Sequence, residues 1–275
     1  MEEGGRGEGL TTTATATKES VTNGIRSKVS FRPKPKDPIL VCGLPGSGYV
    51  GKLGVDHLIT TFKAKRMVEY QCDSFPPQVN VKEDGRVESL KAEVYYAPTG
   101  QTNDLLVFTA DAQPTTSEGE YELSEMVVKL GKSYGVNTVY TLAAYITGAF
   151  SKVPRVFGAA TSVNLLESLT KSGVLLMKEG GITGMNGLMV GMAALNGMEG
   201  ICLLGETSGY VIDAGASQSV LEALSKLLNL KIDVSSLKAR AEETQNVISQ
   251  LQKMTEQGRE PGGPEKREPQ PGYIS

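Results

Sequence analysis

From Lys36 onward the apolar positions of this chain fall into two alternating periods. Pro38–Cys42 is a short continuous apolar run and predicts a buried strand. A glycine-rich turn and a helix from about Tyr49 to Phe62 follow, and Ala64–Tyr70 reads as the next strand. Arg86–Tyr96 places Val87, Leu90, Ala92, Val94 and Tyr96 loosely between polar residues, as a half-solvated strand does. Within Asp104–Ala110, Leu105, Leu106, Val107 and Phe108 form a continuous apolar run, which predicts a central parallel strand covered on both faces. Glu118–Tyr134 returns to the helical period, with Leu123, Met126, Val127, Leu130 and Tyr134 on one face.

The alternation continues through strands at Val136–Ala144 and Arg155–Ala160, a helix over Val163–Lys171 and a strand at Val174–Met177. A glycine-rich helix over Met185–Leu195, the strand Gly200–Leu204 and a helix over Ser217–Leu230 complete the series. Strand and helix alternating in this way predict a three-layer α/β/α sandwich with a mostly parallel sheet, spanning residues 31–232. Within the glycine-rich helix, Gly184, Gly187 and Gly191 form a smooth face that another backbone can approach. Leu188, Met189, Met192 and Leu195 are expected to fill the core opposite.

The two ends have a different character. Residues 1–20 hold four Gly and five Thr with almost no large apolar side chain, so residues 1–30 are expected to be a disordered N-terminal segment. They lack the apolar stretch of a signal peptide. Residues 233–256 contain no Gly or Pro and are largely polar. There Leu237, Ala241, Thr244, Ile248 and Leu251 step by four and three along an amphipathic C-terminal helix. That seam serves equally to dock the helix on its own domain or to make an oligomer contact. Residues 257–275 hold four Pro, four Gly and six charges and predict a flexible tail, yet it finishes on Tyr273 and Ile274.

Composition narrows the chemistry. The net charge is −3 with no concentrated basic stripe, which argues against nucleic acid as a partner. No apolar run approaches the roughly 18 residues that span a membrane. Cys42, Cys72 and Cys202 are too few and too scattered for a disulfide framework or a metal cluster, and a cytoplasmic location is the expectation. With a single histidine, His57, multi-histidine metal sites are excluded, and a Ser–His–Asp or Cys–His site would have to rest on it alone. His57 falls at helical spacing within Val55–Phe62, where a partly buried structural imidazole is expected. No Gly-x-Ser-x-Gly nucleophile elbow occurs.

One loop carries a phosphate-binding pattern. Gly46-Ser47-Gly48-Tyr49-Val50-Gly51 spells G-x-G-x-x-G between a strand and a helix, and Glu69 stands near the end of the next strand, where a ribose-binding acid would sit. The same stretch nearly forms a Walker A loop, but Leu53 replaces the Mg²⁺-binding Ser or Thr. Backbone amides at Gly43, Gly46, Gly48, Gly51 and Lys52 would still suit an anion. The plainer reading is that a tight strand-to-helix turn needs glycines whatever it binds. A nucleotide- or nucleoside-handling enzyme would draw on this loop, with carboxylates such as Glu69, Asp111, Glu206 or Asp213 at strand ends.

Several segments together resemble a known family. They are the loop Gly43–Lys52 leading into Asp56-His57-Leu58-Ile59, then Gly181-Ile182-Thr183-Gly184-Met185-Asn186-Gly187-Leu188, Ile201-Cys202-Leu203-Leu204-Gly205-Glu206-Thr207, and Gly209-Tyr210. In order and spacing they resemble the PAC2 family, the archaeal homologues of proteasome assembly chaperones, over about residues 36–250. The resemblance implies a phosphorylase-like sandwich that self-associates into a homo-oligomer. It also implies a non-enzymatic, cofactor-free role in assembling or activating the 20S proteasome through its α subunits, with a second PAC2-like chain as a further candidate partner. Archaeal members have also been grouped with ATP-grasp enzymes, but the Lys pair and acidic Mg²⁺ ligands which that chemistry needs are not identifiable here. The resemblance gives the tail a role, since proteasome activators insert a hydrophobic–Tyr–any-residue terminus into pockets between α subunits. Here Tyr273 stands one position earlier than in that pattern. Tyr273 and Ile274 supply the apolar anchor and the Ser275 carboxylate the charged end.

Overall fold

The computed structural model describes residues 18–257. Among them the chain forms strands β1 Lys18–Thr22, β2 Ile25–Val29, β3 Ile39–Gly43, β4 Lys65–Cys72, β5 Val79–Val81, β6 Val87–Ser89, β7 Ala92–Ala97, β8 Leu105–Ala110, β9 Thr138–Ile146, β10 Val156–Ala160, β11 Leu175–Leu176 and β12 Glu199–Thr207. The helices are α1 Val50–Thr61, α2 Ser117–Ser133, α3 Val163–Lys171, α4 Gly184–Leu195, α5 Ala214–Leu228 and α6 Ser235–Gln257.

Ten strands form one sheet in the order β1-β2-β4-β7-β8-β3-β9-β12-β10-β11. The inner four, β8, β3, β9 and β12, are mutually parallel. Outside them β7, β4, β2 and β1 add antiparallel, and β10 runs antiparallel to β12. The sheet is therefore mixed, and the expectation of a mostly parallel one is corrected. The α/β alternation holds only where a helix crosses between strands. β4 and β7 join through chain that carries no helix, only the separate hairpin of β5 and β6. For the same reason Arg86–Tyr96 is not one strand, since Val87–Ser89 pairs with β5 while Ala92–Ala97 enters the main sheet.

A second correction concerns the N-terminal segment expected to be disordered to residue 30. Residues 18–29 form an antiparallel hairpin that extends the sheet along β4. Its two-residue turn, Asn23-Gly24, takes φ of 49° and 70°, the paired positive values of the hairpin turn that matches strand twist. Ile25 is fully buried and anchors the hairpin to the core.

Helices cover both faces, giving three layers. On one side α2 contributes Leu123, Val127 and Val128, and α4 contributes Met185, Met189, Met192 and Ala193, packed on Leu40, Cys42, Leu106 and Phe108. On the other side α1, α3 and α5 pack on Val41, Leu105, Val107, Leu142 and Leu203. All six residues of β8 are buried, as its apolar run predicts. Thr116 caps α2 through the Gly119 amide at 3.1 Å, and Asp213 caps α5 through the Ala216 amide at 2.9 Å.

The first half of α6 docks on its own domain. Leu237 is buried and Ala241 packs beside it in the α1/α5 layer. His57 fixes the start of this helix, with Nε2 at 2.5 Å from the Asp233 carbonyl and Nδ1 at 3.4 Å from Ser236 Oγ. The side chains of Ile248 and Leu251 lie outside the described residues. In α4, Leu195 departs from expectation, being 82% exposed at the helix end. We expect Leu123→Ala to destabilise by about 2–5 kcal/mol and Leu195→Ala to fall within about 0.5 kcal/mol of wild type, as read by denaturant unfolding.

Candidate functional site

The parallel strands β3, β9 and β12 end at one edge of the sheet, and the glycine loop leaves β3 there. Gly43 and Gly51 put two pieces of backbone in direct contact. A Cβ on Gly43 would overlap the Gly51 carbonyl, and one on Gly51 would overlap the carbonyl of Leu142 in β9. Between them Ser47–Tyr49 forms a 3₁₀ turn, with Gly48 at φ 62° and Tyr49 at φ 53°. A side chain on Gly48 would crowd Thr207 Oγ1 at 2.9 Å. Gly43, Gly48 and Gly51 therefore serve close packing. Gly46 is the exception, because a Cβ there meets no heavy atom within 4 Å.

Lys52 does not turn toward the loop. Its Nζ pairs with Asp56 Oδ1 at 2.6 Å, one helical turn along α1. The loop instead faces an uncharged cavity of about 400 Å³, bordered by Leu44, Ser47, Gly51, the ends of β9 and β12, and the 177–186 segment. Gln113 ties the two sides together. Its Nε2 donates to the Pro45 carbonyl at 2.8 Å and its Oε1 accepts from the Met185 amide at 2.8 Å. Gly184 at φ 72° makes room for this contact.

The strand-end carboxylates all have structural partners. Glu69 and Glu93 share Arg66 at 2.8 Å each. Asp111 accepts the Lys91 amide at 3.1 Å, and Asp213 takes the Thr207 hydroxyl at 2.7 Å while capping α5. Glu206 holds Arg155 in a two-pronged pair, Nε to Oε2 at 2.9 Å and Nη2 to Oε1 at 2.6 Å. Hydrogen bonds from the Arg155 side chain hold the Glu206 carboxyl below its ordinary range. Arg155 also lies 5.3 Å over the Phe157 ring, which stacks on Tyr145 at 4.0 Å.

The thiols offer no nucleophile. All three cysteines are buried, and burial pushes Cys42 well up and Cys202 up to about 12. Among the described residues no cluster of three His, Cys, Asp or Glu side chains is placed to hold a metal. None of the described helices is long and apolar enough to cross a membrane.

Beside the cavity, two adjacent loops expose apolar side chains. Ile146 ends β9 and Phe150 and Val153 follow it, while Tyr210 and Ile212 follow β12, all between 47% and 81% exposed. Sequence reasoning gave no role to Gln113, Arg155 or Tyr145. Asn186 stood in the sequence only as one residue of the Gly181–Leu188 segment that carries the family resemblance, with no role of its own. The tail residues Tyr273, Ile274 and Ser275 lie outside the described residues.

Comparison with known proteins places this arrangement. The model of the PAC2 family matches residues 40–252, and the chain belongs to that family. An uncharacterized protein of Methanocaldococcus jannaschii is 40% identical over 234 residues, covering 85% of this chain and 90% of its own. Among solved structures, Pyrococcus furiosus PbaB, an archaeal proteasome activator, superposes with a TM-score of 0.78 at 35% identity. The match covers 84% of this chain and all of that one. Pyrococcus furiosus PbaA, an archaeal homolog of proteasome-assembly chaperone, gives a TM-score of 0.68 at 27% identity, covering 82% and 91%.

Two outcomes follow from this geometry. Gly51→Ala forces backbone apart and is expected to cost about 1–3 kcal/mol or more in urea unfolding. The Glu206 pair stabilises the fold fully above the carboxyl's ordinary value of 4.5 and less as pH falls from there through the depressed folded value. The stability gap between wild type and Glu206→Gln should therefore be widest near neutral pH and close in acid. A gap that stays constant with pH would contradict the pairing.

Proposed function

We propose that this PAC2 protein acts without catalysis on the 20S proteasome, as an assembly chaperone or activator that binds α subunits. The observation that carries the reading is the likeness to PbaB, which covers 84% of this chain and the whole of that one. The site chemistry agrees, since the strand-end carboxylates are engaged in a helix cap, ion pairs and a backbone hydrogen bond, and Lys52 is paired within its own helix. The exposed apolar loops beside the sheet edge suit a protein whose work is association, either with α subunits or with further copies of this chain in a homo-oligomer. A second PAC2-like chain is the alternative companion. The work is assigned to the cytoplasm.

The contact assigned to α subunits is the C-terminal tail, with Tyr273 and Ile274 as apolar anchors. Several tails on one oligomer would raise a weak single-site affinity through effective concentration. Full-length protein is expected to capture purified archaeal α subunits and whole 20S particles in a pull-down. Deletion of residues 272–275 should abolish capture while leaving the circular dichroism spectrum unchanged. Equal capture by the truncated protein would remove the tail mechanism. Absence of capture by both forms would overturn the proteasome assignment itself.

A further inference from the structure

We propose that the cavity between the glycine loop and the start of α4 is a binding site for a small organic acid. Its anionic head would lie between the N-termini of α1 and α4, and its body against the apolar wall. Three independent features converge there.

The first is the pairing of two helix ends on one cavity. Both α1 and α4 are twelve residues long, neither has an acidic residue in its first turn, and neither is capped by the side chain at its N-cap position. Each helix end carries roughly half a positive charge. Together they offset about one negative charge, with backbone amides to receive its oxygens.

The second feature is Asn186, on the first turn of α4. It is 8% exposed and borders the cavity, and its Oδ1 has no hydrogen-bond partner among the described residues. Buried amides are almost always paired, and this unpaired one, its Oδ1 sealed from solvent, belongs to a residue that borders the cavity.

The third is construction. Gln113 bridges the Pro45 carbonyl and the Met185 amide, so the loop and the helix that form opposite walls are held at a fixed separation. The space between them lies over the carboxyl ends of β3, β9 and β12, the edge where open α/β sheets take ligands. Met177, Ile182 and Leu204 supply an apolar side for the rest of the molecule.

The same features limit the ligand. No Lys or Arg borders the cavity, and Lys52 is held by Asp56. A triphosphate would bring several negative charges against about one unit of helix-end charge. A single carboxylate on a compact body matches that charge, and a phosphoryl head, at roughly 1.5 to 2 negative charges near neutral pH, exceeds it by about one unit at most.

The test is saturation-transfer NMR on the full chain, with 3-methylbutyrate and ribose 5-phosphate as probes. Each is compared with its uncharged counterpart, 3-methylbutanol and ribose. At least one acid is expected to show tenfold or more transfer over its counterpart, and which one distinguishes a carboxylate from a phosphoryl head.

Two variants locate the binding. Gly46→Phe places a ring in open space from an extended backbone, φ −171°. Asn186→Leu replaces an unpaired amide by an apolar group of similar volume. Both are expected to keep the wild-type melting temperature or exceed it, and to reduce transfer at least tenfold. No transfer to either acid above its counterpart, or full transfer retained in either variant, overturns the proposal. Because the assay contains no proteasome component, its failure would leave the association reading untouched.

Discussion

The architecture depends on one close approach, the contact of the α1 backbone with the ends of β3 and β9. Gly43 meets the Gly51 carbonyl, and Gly51 meets that of Leu142, at separations that exclude any side chain. This draws α1 tightly onto the centre of the parallel strands. It also lets Val50, Val55 and Leu58 pack on the same layer as Leu142 and Leu221. It fixes where the loop between β3 and α1 must run, and hence the shape of the sheet edge where the loop, β9 and β12 come together. The spacing that looks like a phosphate-binding signature is, at two of its three glycines, Gly48 and Gly51, the spacing that this packing requires.

A consequence is that the sheet edge is polar in its framework but quiet in its chemistry. Arg155 and Glu206 brace β10 to β12, Thr207 and Asp213 start α5, and Lys52 and Asp56 close on each other. Groups engaged in this way hold loops in place, and the side chains those loops expose are apolar. That division fits a protein that presents a surface. The family membership and the likeness to PbaB and PbaA point the same way.

Much of the fold was legible in the sequence because periodicity reports burial directly. The apolar run within Asp104–Ala110 became a fully buried strand, and the helical face of α2 packed where its spacing put it. Strand direction was not legible, since a buried strand reads alike whether its neighbour runs with it or against it. β8 is parallel to β3 on one side and antiparallel to β7 on the other. The β1–β2 hairpin was missed because the expectation rested on the scarcity of large apolar side chains over residues 1–20, whereas the Asn23-Gly24 turn and the buried Ile25 lie beyond them. At the site, the motif marked the turn between β3 and α1. It could not show that Lys52 turns away, or that Gln113, distant in sequence, clamps the loop to α4, because both depend on tertiary contacts.

The central claim is association with the proteasome core, and sedimentation velocity of the full chain mixed with 20S particles tests it most directly. The account predicts that part of the protein shifts from its own boundary to that of the particle, in proportion to the particle added. A boundary that stays unmoved by excess 20S particles and by free α subunits would contradict it.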